Sequence, residues 1–185
     1  KGKIGVYIEV KNAQNDDDLQ AAILELAADY QVLPDKVRRE MMARIEADGT
    51  RNLELTRKVI ALVRERKMKK EIVIQSFSPI VCAIASSEAP ELRVELLTGA
   101  KLDDPGAWER SLRWAYLLGL GGVNPCKDGV DTGRLAALHA GGKCVAVWTV
   151  NSHLEMGQLA GWGVDRIITD RPDVCVDTLK KTGER

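Results

Sequence analysis

Two short apolar runs near the end of the chain constrain its fold most. Residues 145–151 read Val-Ala-Val-Trp-Thr-Val-Asn, and residues 163–173 again pass from apolar residues into Thr-Asp-Arg-Pro-Asp. Strands that are buried on both faces are almost continuously apolar, and the residues between the two runs suit a short helix. The pair therefore predicts a parallel strand–helix–strand unit. Ligands bind at the carboxyl ends of such strands, so the polar endings predict a site.

The same alternation continues through the rest of the chain. Further strands are predicted at residues 3–10, 71–77, 92–97 and 122–125. Helices are predicted to begin at Asp16, Pro34, Asn52, Asp103 and Asp131, mostly from capping residues and prolines followed by amphipathic spacing. Roughly six strands alternating with helices predict an α/β fold with a parallel sheet, and both a doubly wound sheet and most of a (β/α)8 barrel fit.

Composition narrows the possible partners. The 185 residues carry 27 basic and 27 acidic side chains, so no global field draws the chain to nucleic acid or to an anionic membrane. The sequence contains no apolar stretch near the roughly 20 residues of a membrane span. Cys82, Cys144 and Cys175 lie in apolar runs and are predicted to be buried thiols, whereas Cys126 is expected to be more exposed. The sequence does not fix the cellular compartment of the protein, and a cytoplasmic or organellar location is favoured.

The strand endings form a series that resembles a known family. Tyr-Ile-Glu-Val-Lys at residues 7–11 is followed by Gln-Ser-Phe at 75–77 and by the two runs described above. In this order they resemble the C-terminal three-quarters of a glycerophosphodiester phosphodiesterase. The resemblance implies a TIM-type (β/α)8 barrel that is incomplete here, with roughly six βα units present and the first two missing. Residues 1–185 would then be a single partial domain, with a helical insertion at about 13–50.

The resemblance also implies a function and site residues. The family hydrolyses glycerophosphodiesters to an alcohol and glycerol 3-phosphate with a divalent cation, Mg²⁺ or Ca²⁺. By this likeness Glu9 is a metal ligand, and Lys11, two residues on along the same strand face, contacts the phosphate or orients the carboxylate. Trp148 corresponds to an aromatic wall of the substrate pocket, and Phe77 is expected to line the same mouth.

Structural roles for these residues stay open. Glu9 could simply pair with Lys11 at the rim of a sheet, and a large aromatic side chain such as Trp148 is often a core residue. For Asp170 and Arg171 the structural role is favoured, since an aspartate can bond nearby backbone amides and an arginine can form an ion pair.

The family's acid–base residues have no counterpart in this sequence. The resemblance calls for two histidines in His-Arg-Gly and His-Asp segments and for a Glu-x-Asp on the second strand, and none of these motifs occurs here. The two histidines of the chain are His139, predicted to lie at the surface near a helix end, and His153, predicted to be exposed at the start of a helix. The sequence therefore assigns no catalytic residue, and this chain alone is not expected to turn over substrate.

Two hypotheses of function follow. In the first, the chain is the C-terminal portion of a metal-dependent glycerophosphodiester phosphodiesterase that needs an N-terminal barrel segment as partner. In the second, it is a catalytically inactive barrel that serves as a structural or binding subunit of an oligomer or assembly. The segment at 13–50 is either a lid, a recognition cap or a docking surface, or a packed addition without a catalytic role.

Overall fold

Strands and helices alternate along the chain. The structure is a computed structural model that describes residues 5–183. The strands in order are β1 Val6–Glu9, β2 Ile72–Ser76, β3 Arg93–Thr98, β4 Gly122–Pro125, β5 Cys144–Val147 and β6 Arg166–Ile167. The helices in order are α1 Asp17–Leu26, α2 Asp35–Asp48, α3 Arg51–Glu65, α4 Pro79–Glu88, α5 Pro105–Leu117, α6 Thr132–Ala140, α7 His153–Trp162 and α8 Pro172–Thr182. Within residues 5–183 no helix is long and apolar enough to cross a bilayer.

The described residues divide into two compact units. The first comprises residues up to 96 together with 112–121, and the second comprises 97–111 and 122 onward. This division does not test the prediction of a single domain, which stays a prediction. The prediction that the first two βα units of a barrel are missing also stays a prediction.

The first unit is built on three parallel strands. Strand β1 pairs with β2 and β2 pairs with β3, so that Glu9 lies opposite Gln75, and Gln75 lies opposite Glu95. Ile72 and Ile74 on β2 are buried. The parallel pairing confirms the predicted strand arrangement in this unit.

Helix ends in the first unit follow from local capping. The Thr50 hydroxyl accepts a hydrogen bond from the Asn52 amide and is therefore the N-cap of α3. The prediction that Asn52 caps this helix is wrong, because Asn52 lies inside the first turn with its side chain buried. Gly49 ends α2 in the left-handed conformation, at a φ of 70°, which glycine adopts without steric cost.

The predicted helices of the 13–50 segment are present as α1 and α2, and they pack as part of the first unit. Ile23, Met41 and Ile45 on their apolar faces are fully buried. The Arg113 guanidinium donates to the Ala27 carbonyl at 2.6 Å and so caps the end of α1. These contacts hold the segment within the first unit, and its role as lid, recognition cap, docking surface or packed addition stays a prediction.

The second unit contains three further parallel strands. Strand β4 pairs with β5, and β5 pairs with β6. Asp131 caps α6 by accepting from the Arg134 amide at 2.7 Å, as the sequence predicted. A short 3-10 turn, Lys127–Gly129, follows β4. A Cβ added at Gly129 would lie 2.1 Å from the Ala100 carbonyl oxygen, so only glycine fits there.

The cysteines divide differently from the prediction. Cys82 and Cys175 are buried, and Cys126 is partly exposed, as expected. Cys144 is partly exposed, so the expectation that it is buried is wrong. The reason is its place at the first residue of β5, where its side chain contacts the Arg166 guanidinium instead of the core.

Candidate functional site

A carboxylate–ammonium pair marks the carboxyl end of β1. The Lys11 Nζ donates to Glu9 Oε1 at 3.0 Å, and the Lys11 side chain is 83% exposed while that of Glu9 is 33% exposed. Lys11 lies two residues after Glu9, beyond the end of β1, and its ammonium reaches back to the carboxylate. The pairing fits both interpretations of the sequence, since the lysine either orients the carboxylate or simply neutralises it.

A row of polar side chains crosses the same level of the first unit. Gln75 and Glu95 lie in register with Glu9 on the neighbouring strands, and Glu95 is fully buried. The Glu95 carboxylate accepts from the Tyr7 hydroxyl at 2.9 Å and from the Arg93 guanidinium. Buried charge requires such partners, so this carboxylate is held in one place. The sequence analysis names Gln75 only as part of the Gln-Ser-Phe motif and does not name Glu95, because their common row is set by strand register.

Phe77 follows β2 directly and is 46% exposed, consistent with a position at a rim. Its neighbours are fixed: the Ser76 hydroxyl donates to the Val10 carbonyl at 2.6 Å, and the Ser78 hydroxyl caps α4. The Ser76 side chain therefore links the end of β2, which precedes Phe77, to the backbone that precedes Lys11.

Trp148 lies in the second unit, at the end of β5. Its indole Nε1 donates to the Asn124 carbonyl at 2.7 Å, and its backbone carbonyl accepts from the Lys127 amide at 2.7 Å. The ring is partly exposed, so Trp148 is not a fully buried core residue. The Lys127 ammonium donates to the Glu155 carboxylate at 2.7 Å, and this bond raises the pKa of Lys127.

The ends of β5 and β6 are tied together through Asn151. Its Oδ1 accepts from the Thr169 hydroxyl and from the Asp170 amide, each at 3.0 Å, while its Nδ2 donates to the Asp170 carboxylate at 2.9 Å. The Arg171 amide donates to the Thr169 hydroxyl at 2.9 Å, and Arg171 is the N-cap residue of α8. These bonds support the structural role that the sequence favoured for Asp170.

Both histidines lie where the sequence placed them. His153 is exposed at the first residue of α7. His139 lies in the last turn of α6, and its Nε2 is 3.0 Å from the Asp165 carboxylate. Both histidines belong to the second unit, whereas Glu9 and Lys11 belong to the first.

The described residues do not complete a divalent cation site. Within residues 5–183 no group of three or more His, Cys, Asp or Glu side chains is arranged to hold a metal ion. Ca²⁺ takes about six to eight oxygen ligands, and Mg²⁺ takes about six in octahedral geometry. Glu9 supplies one carboxylate, and the nearby Glu95 carboxylate is already bound by Tyr7 and Arg93. These residues alone do not fit such an ion.

Parallel strands that alternate with helices and end in polar side chains define the class of α/β proteins to which (β/α)8 enzymes belong. The chain belongs to the glycerophosphoryl diester phosphodiesterase family, whose model matches residues 10–174. The match includes Lys11, Phe77 and Trp148, and it begins one residue after Glu9.

Individual relatives agree with the family. The chain is 28% identical over 127 residues to a glycerophosphodiester phosphodiesterase of Caldanaerobacter subterraneus subsp. tengcongensis, covering 68% of this chain and 49% of that protein. It resembles the structure of a putative glycerophosphoryl diester phosphodiesterase from Silicibacter pomeroyi, with 26% identity and a TM-score of 0.64 over 72% of this chain and 46% of the other. The chain thus spans about half the length of these relatives.

A more distant likeness concerns the fold alone. An Oleispira antarctica phosphodiesterase, solved in complex with the product sn-glycerol-3-phosphate, is 18% identical with a TM-score of 0.60. The likeness covers 70% of this chain and 50% of that one. Together with the strand pairing within each unit, these comparisons support the prediction that the fold resembles that of TIM-type barrels.

Proposed function

We propose that this chain provides the phosphate-contacting and pocket-lining part of a metal-dependent glycerophosphodiester phosphodiesterase. The observation that carries the proposal is the Glu9–Lys11 pair at the end of β1 in a chain of this family. In the proposal Lys11 contacts the phosphate, Trp148 and Phe77 line the pocket, and Glu9 is one ligand of a Mg²⁺ or Ca²⁺ ion. The substrate is a glycerophosphodiester, and the products are an alcohol and glycerol 3-phosphate.

The chemistry of Lys11 follows from its charge and exposure. A phosphodiester is an anion, and its negative charge must be compensated as a fifth oxygen approaches phosphorus. An ammonium on a long side chain that is 83% exposed can turn from Glu9 to a phosphate oxygen at little cost. The cation supplies further charge compensation when bound. Because residues 5–183 do not form a complete cation site, its remaining ligands belong to residues outside that range.

General acid–base catalysis also needs groups from outside this chain. His139 is bound to Asp165, and His153 is exposed at the start of α7. Neither position matches the segments in which the family carries its histidines. We therefore propose that an upstream segment supplies both histidines, and that the 185 residues alone hydrolyse nothing.

The test compares these 185 residues with a longer polypeptide that also carries the proposed upstream segment. Glycerophosphocholine hydrolysis would be measured with Mg²⁺, with Ca²⁺ and with a chelator. We expect turnover by the longer protein with metal and none by the 185 residues. In the longer protein Lys11→Met should lower kcat/KM by about 10²-fold or more, as loss of a transition-state contact does.

Lys58→Met is the matched control, because Lys58 is an exposed lysine that pairs with Glu54 on α3. It should leave kcat/KM unchanged. Metal-dependent turnover that is insensitive to Lys11→Met would remove Lys11 from the proposed site. Absence of turnover by a longer protein that carries the histidine segments would refute the proposed activity.

Within residues 5–183 no three metal-ligating side chains cluster, and this observation favours a second candidate, a non-catalytic barrel that serves as a subunit of an assembly. Its test is the intact mass and the binding partners of the native protein. A native polypeptide of about this length that copurifies in a stable complex would support the second candidate. A much longer native polypeptide with metal-dependent hydrolysis would exclude it.

A further inference from the structure

A buried asparagine organises the loop that follows β1. Asn52, on the first turn of α3, is fully buried and has four side-chain hydrogen-bond partners. Its two Nδ2 hydrogens are shared among three acceptors: Asn12 Oδ1 and Asp16 Oδ2, each 2.6 Å from Nδ2, and the Gln14 carbonyl oxygen at 3.2 Å. Its Oδ1 accepts from the Ala13 amide at 2.7 Å. One side chain thus binds four of the five residues from 12 to 16.

Asp16 gives the same loop a second attachment. Its carboxylate is 4% exposed, and its Oδ1 accepts from the Thr50 hydroxyl at 2.8 Å. Gln14 Oε1 accepts from the Arg51 amide at 3.2 Å. Residues 12–16 stand before α1 and residues 50–52 stand after α2, so these bonds join the two ends of the 13–50 segment. We call Asn12, Asp16, Thr50 and Asn52 the Asn52 cluster.

The backbone on both sides of Lys11 is therefore held by side chains. The Val10 carbonyl before it accepts from Ser76, and Asn12 after it is bound by Asn52. The Lys11 side chain itself is 83% exposed and reaches Glu9. Without the cluster, a loop of short polar residues would leave the backbone at Lys11 with many conformations, which costs entropy when a ligand binds.

We infer that Asn52 is a positioning residue for Lys11, acting through Asn12 and Ala13 without touching ligand. The inference rests on the proposed function, since it assigns the ordering of the loop to binding of a phosphate by Lys11. Buried polar networks rigidify a structure when their donors are satisfied, and both N–H groups of the Asn52 amide find acceptors here, with three acceptors for two hydrogens. A misplacement of about 1 Å at a binding group costs up to about 10²-fold in rate. Ordering of the loop at Lys11 should therefore have a measurable effect on binding.

The first arm of the test measures loop order directly, in the 185-residue chain. Asn52→Asp keeps the shape and the acceptor for Ala13, but it removes the donors and places two carboxylates together. We expect exchange of the Ala13 amide hydrogen to accelerate by about tenfold or more. The double variant Asp16→Asn with Asn52→Asp restores a donor–acceptor pair at that contact, and it should return exchange to within about threefold of the parent.

Two further variants separate positioning from general stability. Asn12→Ala removes only the exposed member of the Asn52 cluster, so the melting temperature should stay unchanged while Ala13 exchange and ligand affinity both shift. Thr56→Val, one turn along α3, replaces another buried polar group on the same helix. It should change neither the exchange of the Ala13 amide nor the ligand affinity. Unchanged Ala13 exchange in Asn52→Asp, or no return in the double variant, would overturn the inference.

The second arm measures binding of sn-glycerol 3-phosphate by calorimetry, with Mg²⁺, in the same variants of the longer polypeptide that carries the proposed upstream segment. We expect the dissociation constant to rise about tenfold in Asn52→Asp and in Asn12→Ala, and to recover in the double variant. A parent chain that binds no sn-glycerol 3-phosphate would count against the proposed function, while the exchange arm would still decide whether Asn52 orders the loop. Altered exchange with unaltered affinity would reduce Asn52 to a structural residue and overturn its positioning role.

Discussion

Thr56 lies on the buried face of α3, and its hydroxyl makes no hydrogen bond within residues 5–183. Burial of an unpaired hydroxyl costs about 1–3 kcal/mol in proteins. We therefore predict that Thr56→Val, which keeps the shape, leaves the free energy of unfolding unchanged or raises it by about 1 kcal/mol. Urea unfolding of the two proteins measures this difference.

The contrasting variant at the same helix is Thr50→Val. Thr50 caps α3 and donates to Asp16, so its loss should lower the free energy of unfolding by about 1–2 kcal/mol. A larger loss from Thr56→Val than from Thr50→Val would show that the Thr56 hydroxyl has a partner in solution.

Cys82 is the next residue whose environment makes a prediction. It is fully buried, and this burial raises the pKa of its thiol to about 12. Because the thiolate is the reactive form, Cys82 should resist alkylation at pH 8, whereas the partly exposed Cys126 should be modified. Mass spectrometry of the native chain after iodoacetamide treatment measures this order, and a denatured sample is the control. Equal labelling of Cys82 and Cys126 in the native chain would contradict it.

At the scale of elements, Asp165 joins α6 to the strands β5 and β6. Burial would raise the pKa of the Asp165 carboxyl, but hydrogen bonds from the Val145 amide and from His139 lower it below its ordinary value of 3.8. Since the folded-state pKa is depressed, the ionised carboxylate stabilises the fold above the unfolded-state pKa. This contribution is lost as the pH falls through the folded-state pKa.

We therefore predict a pH-dependent effect of Asp165→Asn, which keeps an acceptor for the Val145 amide and removes the charge. The side chain is 39% exposed, so the loss at pH 7 should be under about 1 kcal/mol. The difference between variant and parent should shrink toward zero below pH 3.8. Thermal melts of both proteins from pH 7 to pH 3 measure it, and a pH-independent difference would contradict the assignment.

Element positions were largely predictable from the sequence, and side-chain networks were not. The amphipathic spacing and caps of α2 and α6 are local signals, and both helices begin within one residue of the prediction. The sequence predicts a cap at Asn52, because its partners Asn12 and Asp16 are 40 and 36 positions away and give no local signal. The sequence analysis predicts no helix after Arg171, although Pro172 is the first residue of α8, a position that proline favours.

The candidate site was predictable in the same limited sense. Glu9 and Lys11 are two residues apart, so the period of a strand alone predicts that they share a face. Gln75 and Glu95 belong to the same row only through strand register, which the sequence does not state. The roles of Glu9, Lys11, Phe77 and Trp148 in binding stay predictions from the family likeness.

At the scale of the whole molecule, the outer edge of β1 makes a prediction about association. Within the first unit β1 is hydrogen-bonded to β2, and Val6 on β1 is 40% exposed. A strand at the edge of a sheet can associate with other chains unless charge or proline prevents it. We predict that the 185-residue chain self-associates at micromolar concentration, as measured by analytical ultracentrifugation.

Val6→Lys is the matched test, because a lysine on an edge strand disfavours pairing with another chain. It should shift the distribution toward monomer, and Val32→Lys at an exposed site outside the strands should not. A parent chain that is monomeric and melts in one sharp transition would contradict the prediction.

The bonds of the Asn52 cluster also have an evolutionary consequence. Since they hold residues 12–16 beside residues 50–52, the distance between the two ends of the intervening chain is fixed independently of what lies between them. Lengthening a chain between fixed ends costs little entropy, because the cost rises only with the logarithm of length. The chain between residues 16 and 50 is therefore a place where a helical hairpin of another length, or an inserted domain, should be tolerated. Such a change should leave Lys11 in place after β1.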